Sequence, residues 1–152
     1  MKNIIFIIFL SFCFITPAYS YDKELANSYE QFFSDFKGKA TPKALQMMPA
    51  KTLVEALKTN KKLFLIDVRT PGESGIYGLT VKHSLTVPMN EVFNPDVLKQ
   101  IPKQGKVVIL CKGGHRATAI AIGLRHIGLK NIYILKGGYG SLVKYLSHKT
   151  AY

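Results

Sequence analysis

The segment Cys111-Lys112-Gly113-Gly114-His115-Arg116 puts a thiol, two glycines and three basic side chains into one short stretch. Paired glycines let a backbone curl so that successive N–H groups point inward, which makes a nest for an anion. A helix starting directly after the loop adds the positive end of its dipole to the same spot. Lys112 and Arg116 bring full charges, and His115 brings another when protonated. Such surroundings favour the thiolate, so Cys111 reads as an activated nucleophile rather than an inert core cysteine. The chemistry on offer is nucleophilic attack on a small anion.

The flanking residues say what must hold this loop. Lys106-Val107-Val108-Ile109-Leu110 runs into Cys111, Leu63-Phe64-Leu65-Ile66 runs into Asp67, and Asn131-Ile132-Tyr133-Ile134-Leu135 runs into Lys136-Gly137-Gly138. Unbroken apolar runs predict strands buried on both faces, as in a parallel sheet between helices. Ala117, Ile120, Ala121, Leu124 and Ile127 mark a helix after the loop, with Gly128 as its left-handed cap and a right-handed crossover to the next strand. The fold class is α/β, three-layered, a small parallel sheet flanked by helices. Sites in such folds form past the carboxyl ends of strands. Asp67, Arg69 and Cys111 all stand there, so neighbouring strands would give them one rim.

Towards the amino terminus, Leu25, Tyr29, Phe32, Phe33 and Phe36 recur at helical spacing. They predict an amphipathic helix from about Asp22 to Phe36, its aromatic stripe packed on the main domain. A second helix is expected over Ala50 to Lys58.

Length and composition fit one domain behind a leader. The chain has 152 residues, two cysteines and a formal charge of +12. Lys2, the apolar run Ile4 to Ile15 and the small residues Ala18 and Ser20 have the three-part layout of a secretory signal peptide. The run is too short to span a bilayer, which takes about 20 apolar residues. Cleavage after Ser20 would remove Cys13, leave Cys111 as the lone thiol and leave no membrane anchor. The expected divisions are residues 1–20 as leader, 21–48 as a helical extension and 49–148 as the main domain, periplasmic or secreted. The basic balance suits a small anionic substrate, or simply solubility; nucleic acid is not an expected partner outside the cytoplasm. His83, His126 and His148 have no metal-ligand spacing, and Met47-Met48 reads as core, so no metal or cofactor is expected.

A thiol and an arginine bracketing a curled loop serve both phosphoryl and sulfur transfer. Four residues separate Cys111 from Arg116. The tyrosine-phosphatase and dual-specificity phosphatase pattern has one more, and the tighter loop suits a single sulfur atom. Five elements in order resemble the single-domain rhodanese (thiosulfate sulfurtransferase) family. They are Leu65-Ile66-Asp67-Val68-Arg69-Thr70-Pro71, the acidic Glu73, Ser84 to Pro88, the strand and loop from Val107 to Arg116, and Leu135-Lys136-Gly137-Gly138-Tyr139. The family's Gly-His-Ile element after Glu73 has no counterpart here, and Ser74 stands where an aromatic is usual, so the acceptor-side rim is expected to be rearranged.

The resemblance implies a sulfurtransferase in which Cys111 attacks the outer sulfur of thiosulfate, keeps it as a persulfide and passes it to cyanide or a small thiol. The N–H groups from Lys112 through Ala117, including Gly113, Gly114, His115 and Arg116, would hold the anionic sulfur. Lys112 would attract the donor, Arg116 would brace the loop through an acidic partner, and Asp67 would tie down the strand end. Arg69 would either pair with Glu73 or face the site. The protein is expected to be a monomer. The alternatives are a non-catalytic binding module on the same fold and a persulfide or thiol redox carrier.

Overall fold

The computed structural model describes residues 20–59 and 62–148. The expected leader and its Cys13 lie outside the described residues, apart from Ser20. Among the described residues no helix is long and apolar enough to cross a membrane.

Five parallel strands form the sheet: β1 (Met47–Met48), β2 (Leu63–Asp67), β3 (Ser84–Thr86), β4 (Lys106–Leu110) and β5 (Ile132–Leu135), in the order β1-β5-β4-β2-β3. The helices are α1 (Lys23–Phe33), α2 (Thr41–Ala44), α3 (Ala50–Lys58), α4 (Pro71–Ile76), α5 (Pro95–Leu98), α6 (His115–His126) and α7 (Gly138–Tyr145). The three long strands are the three apolar runs, and they occupy the middle of the sheet, buried on both faces. The outer pair are short edges. β1 is bound to β5 by the Ile134 N–H to the Gln46 carbonyl (3.1 Å) and the Lys136 N–H to the Met48 carbonyl (2.9 Å).

Side chains alternate across the pleat. Ile66, Val107, Ile109, Ile132 and Ile134 pack with Ala117, Ile120, Ala121 and Leu124 of α6. Leu63, Leu65, Val108, Leu110 and Leu135 pack on the other face with Ala50 and Leu53 of α3 and Tyr139 of α7. Two cores therefore sandwich one sheet, as a both-sides-buried parallel sheet requires.

The amino-terminal helix is shorter than its aromatic spacing suggests. Asp22 caps it, accepting the Leu25 N–H at 2.9 Å, and it stops at Phe33. None of its residues is fully buried. It lies instead on the carboxyl end of α6, where Tyr29 stacks on His126 with ring centroids 4.1 Å apart and Ser28 Oγ shares a 3.1 Å hydrogen bond with His126 Nε2. The Arg125 guanidinium adds a cation–π contact 5.5 Å from the Phe32 ring centroid.

Candidate active site

Strand register decides which residues can meet Cys111. Asp67 pairs with Leu110 across β2 and β4. Leu110 turns towards α3 and α7, so Cys111, one residue on, turns towards α6 and joins its core cluster. Asp67 follows Leu63 and Leu65 to the α7 face. The two residues share a sheet edge and point to opposite sides of it.

Cys111 is only 2% exposed. Its Sγ accepts the Gly114 N–H at 3.1 Å. Gly114 has φ +105°, a left-handed conformation that favours glycine, and caps the start of α6. The nucleophile therefore sits against the positive end of a twelve-residue helix. Lys112, Gly113 and His115 are exposed around it and Ala117 is buried beneath. Gly114 is the only member of the loop whose N–H bonds to Sγ among the described residues.

The loop's carbonyls are held from a distant part of the chain. The Tyr139 N–H donates to the Cys111 carbonyl at 2.9 Å, and the Gly140 N–H to the Lys112 carbonyl at 3.1 Å. The first turn of α7 thus grips the outer side of the loop. Gly138 makes the approach feasible: its φ is +55°, and a Cβ there would run into the Cys111 carbonyl oxygen and lie 2.8 Å from that of Lys112.

Arg116 closes the other side. Its Nη1 and Nη2 donate to Glu73 Oε2 and Oε1, both at 2.7 Å, in a fork-to-fork pair. Glu73 is itself locked at the start of α4, its Oε2 accepting the Thr70 N–H at 3.0 Å and the Thr70 hydroxyl at 2.9 Å while Thr70 Oγ1 caps the Glu73 N–H. The spacing Thr70-Pro71-Gly72-Glu73 is a capping box with proline at the first helical position, a local sequence signal that fixes Glu73 at a helix start without naming Arg116 as its partner. The Arg116 bond, followed by the Thr70 N–H, holds the Glu73 carboxyl far below its ordinary 4.5. The same bond to Glu73 raises the Arg116 guanidinium against the effect of burial, with the nearby Cys111 side chain adding to the rise.

This sets a pH window. A carboxyl whose folded pKa is depressed contributes stability above its unfolded value and loses it as pH falls. Glu73→Gln is therefore expected to be less stable than the parent at pH 7, with the gap in urea midpoint closing as pH drops below 4.5. Its thiol chemistry should slow by roughly an order of magnitude at pH 7, because a loosened loop misplaces the nucleophile.

Arg69 follows neither expected course. It is 1% exposed and paired with Asp67, which is fully buried: Nε lies 3.0 Å from each Asp67 oxygen and Nη2 2.8 Å from Oδ2. Nη2 also donates to the Tyr77 carbonyl at 2.7 Å. It reaches Glu73 only through that residue's backbone carbonyl, at 3.4 Å. The guanidinium lies 3.7 Å from the Tyr139 ring centroid and 4.7 Å from that of Tyr77. Arg69 and Asp67 therefore form a buried pair under α7, and the shared rim divides into two faces. Tyr77, from the stretch that departs from the family pattern, supplies an outer ring of this cage.

Burial, with the Asp67 charge adding and the Arg69 charge opposing, pushes the Tyr139 phenol up to about 12. A raised pKa contributes stability in full below the unfolded value of 10.0 and surrenders it as pH climbs through the folded one. Between pH 10 and 12 the protein should lose stability faster than Tyr139→Phe, measured as paired urea midpoints.

A hollow of about 150 Å³ adjoins the loop on the β5 side, between Gly113, Gly114, His115 and Lys136, Gly137. Its mouth is cationic. The loop itself offers one recessed thiol, a helix N-terminus and exposed basic groups, which together suit attack on a small anion.

A model of the rhodanese-like domain matches residues 49–144. A sulfurtransferase of Allochromatium vinosum is 30% identical over 89 residues, covering 59% of this chain and 79% of that protein. Among solved structures, a rhodanese-related protein from Thermoplasma volcanium is 28% identical, with a TM-score of 0.54 over 65% of this chain and 91% of that one. A human single-domain sulfurtransferase shares the fold at 18% identity, TM-score 0.56, over 67% of this chain and 98% of its own.

Proposed function

The chain belongs to the rhodanese-like domain family, and from that premise we propose that it is a sulfurtransferase working through a Cys111 persulfide. The observation that carries this reading is the Gly114 N–H on Cys111 Sγ at the start of α6, a donor aimed at a nucleophilic sulfur. In the first half-reaction the Cys111 thiolate attacks the outer sulfur of thiosulfate. A new S–S bond forms, the old one breaks, and its electron pair leaves with sulfite. The product is an anionic persulfide on Cys111. In the second half-reaction cyanide or a thiolate attacks the outer sulfur, and the Cys111 thiolate is the leaving group.

The protein's contribution is electrostatic and positional. The helix dipole and the Gly114 N–H favour negative charge at the thiolate and the persulfide. Lys112 and His115, exposed around the loop, attract an anionic donor. The recessed thiol favours slim reagents over protein thiols. We place it in an exported setting from the signal-peptide layout of residues 1–20, whose removal would leave this thiol without a cysteine partner.

The test is an intact mass after incubation with thiosulfate. One added sulfur of about 32 Da, removed by cyanide and absent from Cys111→Ser, is the expected result. A parent protein that gains no sulfur overturns the reading.

A further inference from the structure

A roomy cavity lies at the opposite end of the sheet from Cys111. Its volume is about 770 Å³, inside the range of roughly 300–1,000 Å³ usual for small-molecule sites. It opens at the amino ends of β2, β3 and β4, one strand length or about 15 Å from the thiol, so the sulfur-transfer reading makes no use of it. Its floor is apolar, formed by Leu57, Leu63, Phe64, Val81 and Pro102. Its charged lining is of one sign: Lys62, Lys82 and Lys106, with His83 beside them. Among the described residues no carboxylate lines it. Among the described residues none of the three ammonium groups forms a salt bridge, and Lys106 Nζ instead lies 5.1 Å from the Tyr133 ring centroid.

Charges of one sign gathered over a low-dielectric floor concentrate a counter-ion there more strongly than the same charges on open surface. An inorganic anion would satisfy the rim and leave the floor wet. A neutral apolar molecule would cover the floor and leave the ammonium groups unmatched. We propose that this cavity is a second binding site, for an organic anion with an extended apolar body of the medium-chain carboxylate kind. The carboxylate sits among Lys62, Lys82 and Lys106 while the chain lies over Leu57, Phe64 and Val81.

The probe is decanoate, titrated below its micellar range into the labelled full chain and followed by backbone-amide NMR. Shifts are expected at residues 62–64, 80–83 and 104–106, saturating with a dissociation constant below about 1 mM. Butyrate, which keeps the charge and shortens the body, and decylammonium, which keeps the body and reverses the charge, should leave those amides in place. Lys82→Glu with Lys106→Glu should weaken decanoate at least about tenfold. The single change Lys82→Glu, on an exposed loop, gives the same direction without touching a strand. Both variants should still gain sulfur from thiosulfate, which separates this site from the one at Cys111. No shifts with decanoate, shifts confined to residues 111–117, equal binding of decylammonium, or unchanged affinity in a folded variant would each overturn the proposal.

Discussion

Gly138→Ala is expected to slow sulfur loading from thiosulfate by about 100-fold or more while leaving most of the protein folded. Two independent costs meet at this position. A non-glycine residue in the left-handed region loses on the order of 1–2 kcal/mol, and φ here is +55°. The added Cβ would also strike backbone, the Cys111 and Lys112 carbonyls, which no side-chain rotation can move aside. Relief requires the loop and the first turn of α7 to separate. That separation breaks the bonds from the Tyr139 and Gly140 N–H groups, at 2.9 and 3.1 Å. A shift of about 1 Å at the nucleophile is enough to cost two orders of magnitude in rate. The control is two residues away. At Gly140 an added Cβ would lie 3.7 Å from the Lys112 carbonyl, an ordinary contact, and alanine there gains about 1 kcal/mol of helix propensity. Gly140→Ala should therefore match or exceed the parent in melting temperature and retain its loading rate. Single-turnover mass spectrometry on the two variants separates the outcomes. Equal rates for both would remove the clamp from the mechanism.

Asp67→Asn should have the opposite profile, a large loss of stability with little direct effect on the thiol. Arg69 is 1% exposed and Asp67 fully buried, so removing the carboxylate leaves a charged guanidinium inside the protein without its counter-charge. Breaking a buried pair from one side costs about 3–5 kcal/mol, a large share of the 5–15 kcal/mol that holds a typical domain together. The melting temperature should fall by on the order of 10 °C. Well below that temperature, sulfur loading should stay within a few-fold of the parent, because Asp67 faces α7 and Cys111 faces α6. A variant that melts with the parent, or one that stays folded but loads no sulfur, would contradict this division of labour.

Much of the architecture can be read in the chain itself. The runs at Leu63, Lys106 and Asn131 are long, apolar and punctuated, and each became a central strand. The edges β1 and β3 are two and three residues long, too short for any period to register. Their pairing comes from neighbours, as when the Val87 N–H finds the Asp67 carbonyl at 3.0 Å. The amino-terminal helix stops short of Phe36 because the aromatic spacing continues through a turn that still feeds the cluster on α6. At the site, Cys111 and its loop stand out because their chemistry is local. The partner of Arg116 does not, since Glu73 lies 43 residues earlier and comes close only because β2 and β4 are neighbours. The placement of Asp67 and Arg69 is less legible still. Their motif sits at a strand end like that of Cys111, and only the register shows that a one-residue offset sends them through the sheet to the other side.

The grip of α7 on the loop also sets an order of assembly. Cys111 is synthesised before Gly138 and Tyr139, and until that last helix docks, the carbonyls it holds are loose. A chain whose last helix has not yet docked therefore holds its nucleophile in an unclamped loop, and the site is complete only with the final step of folding.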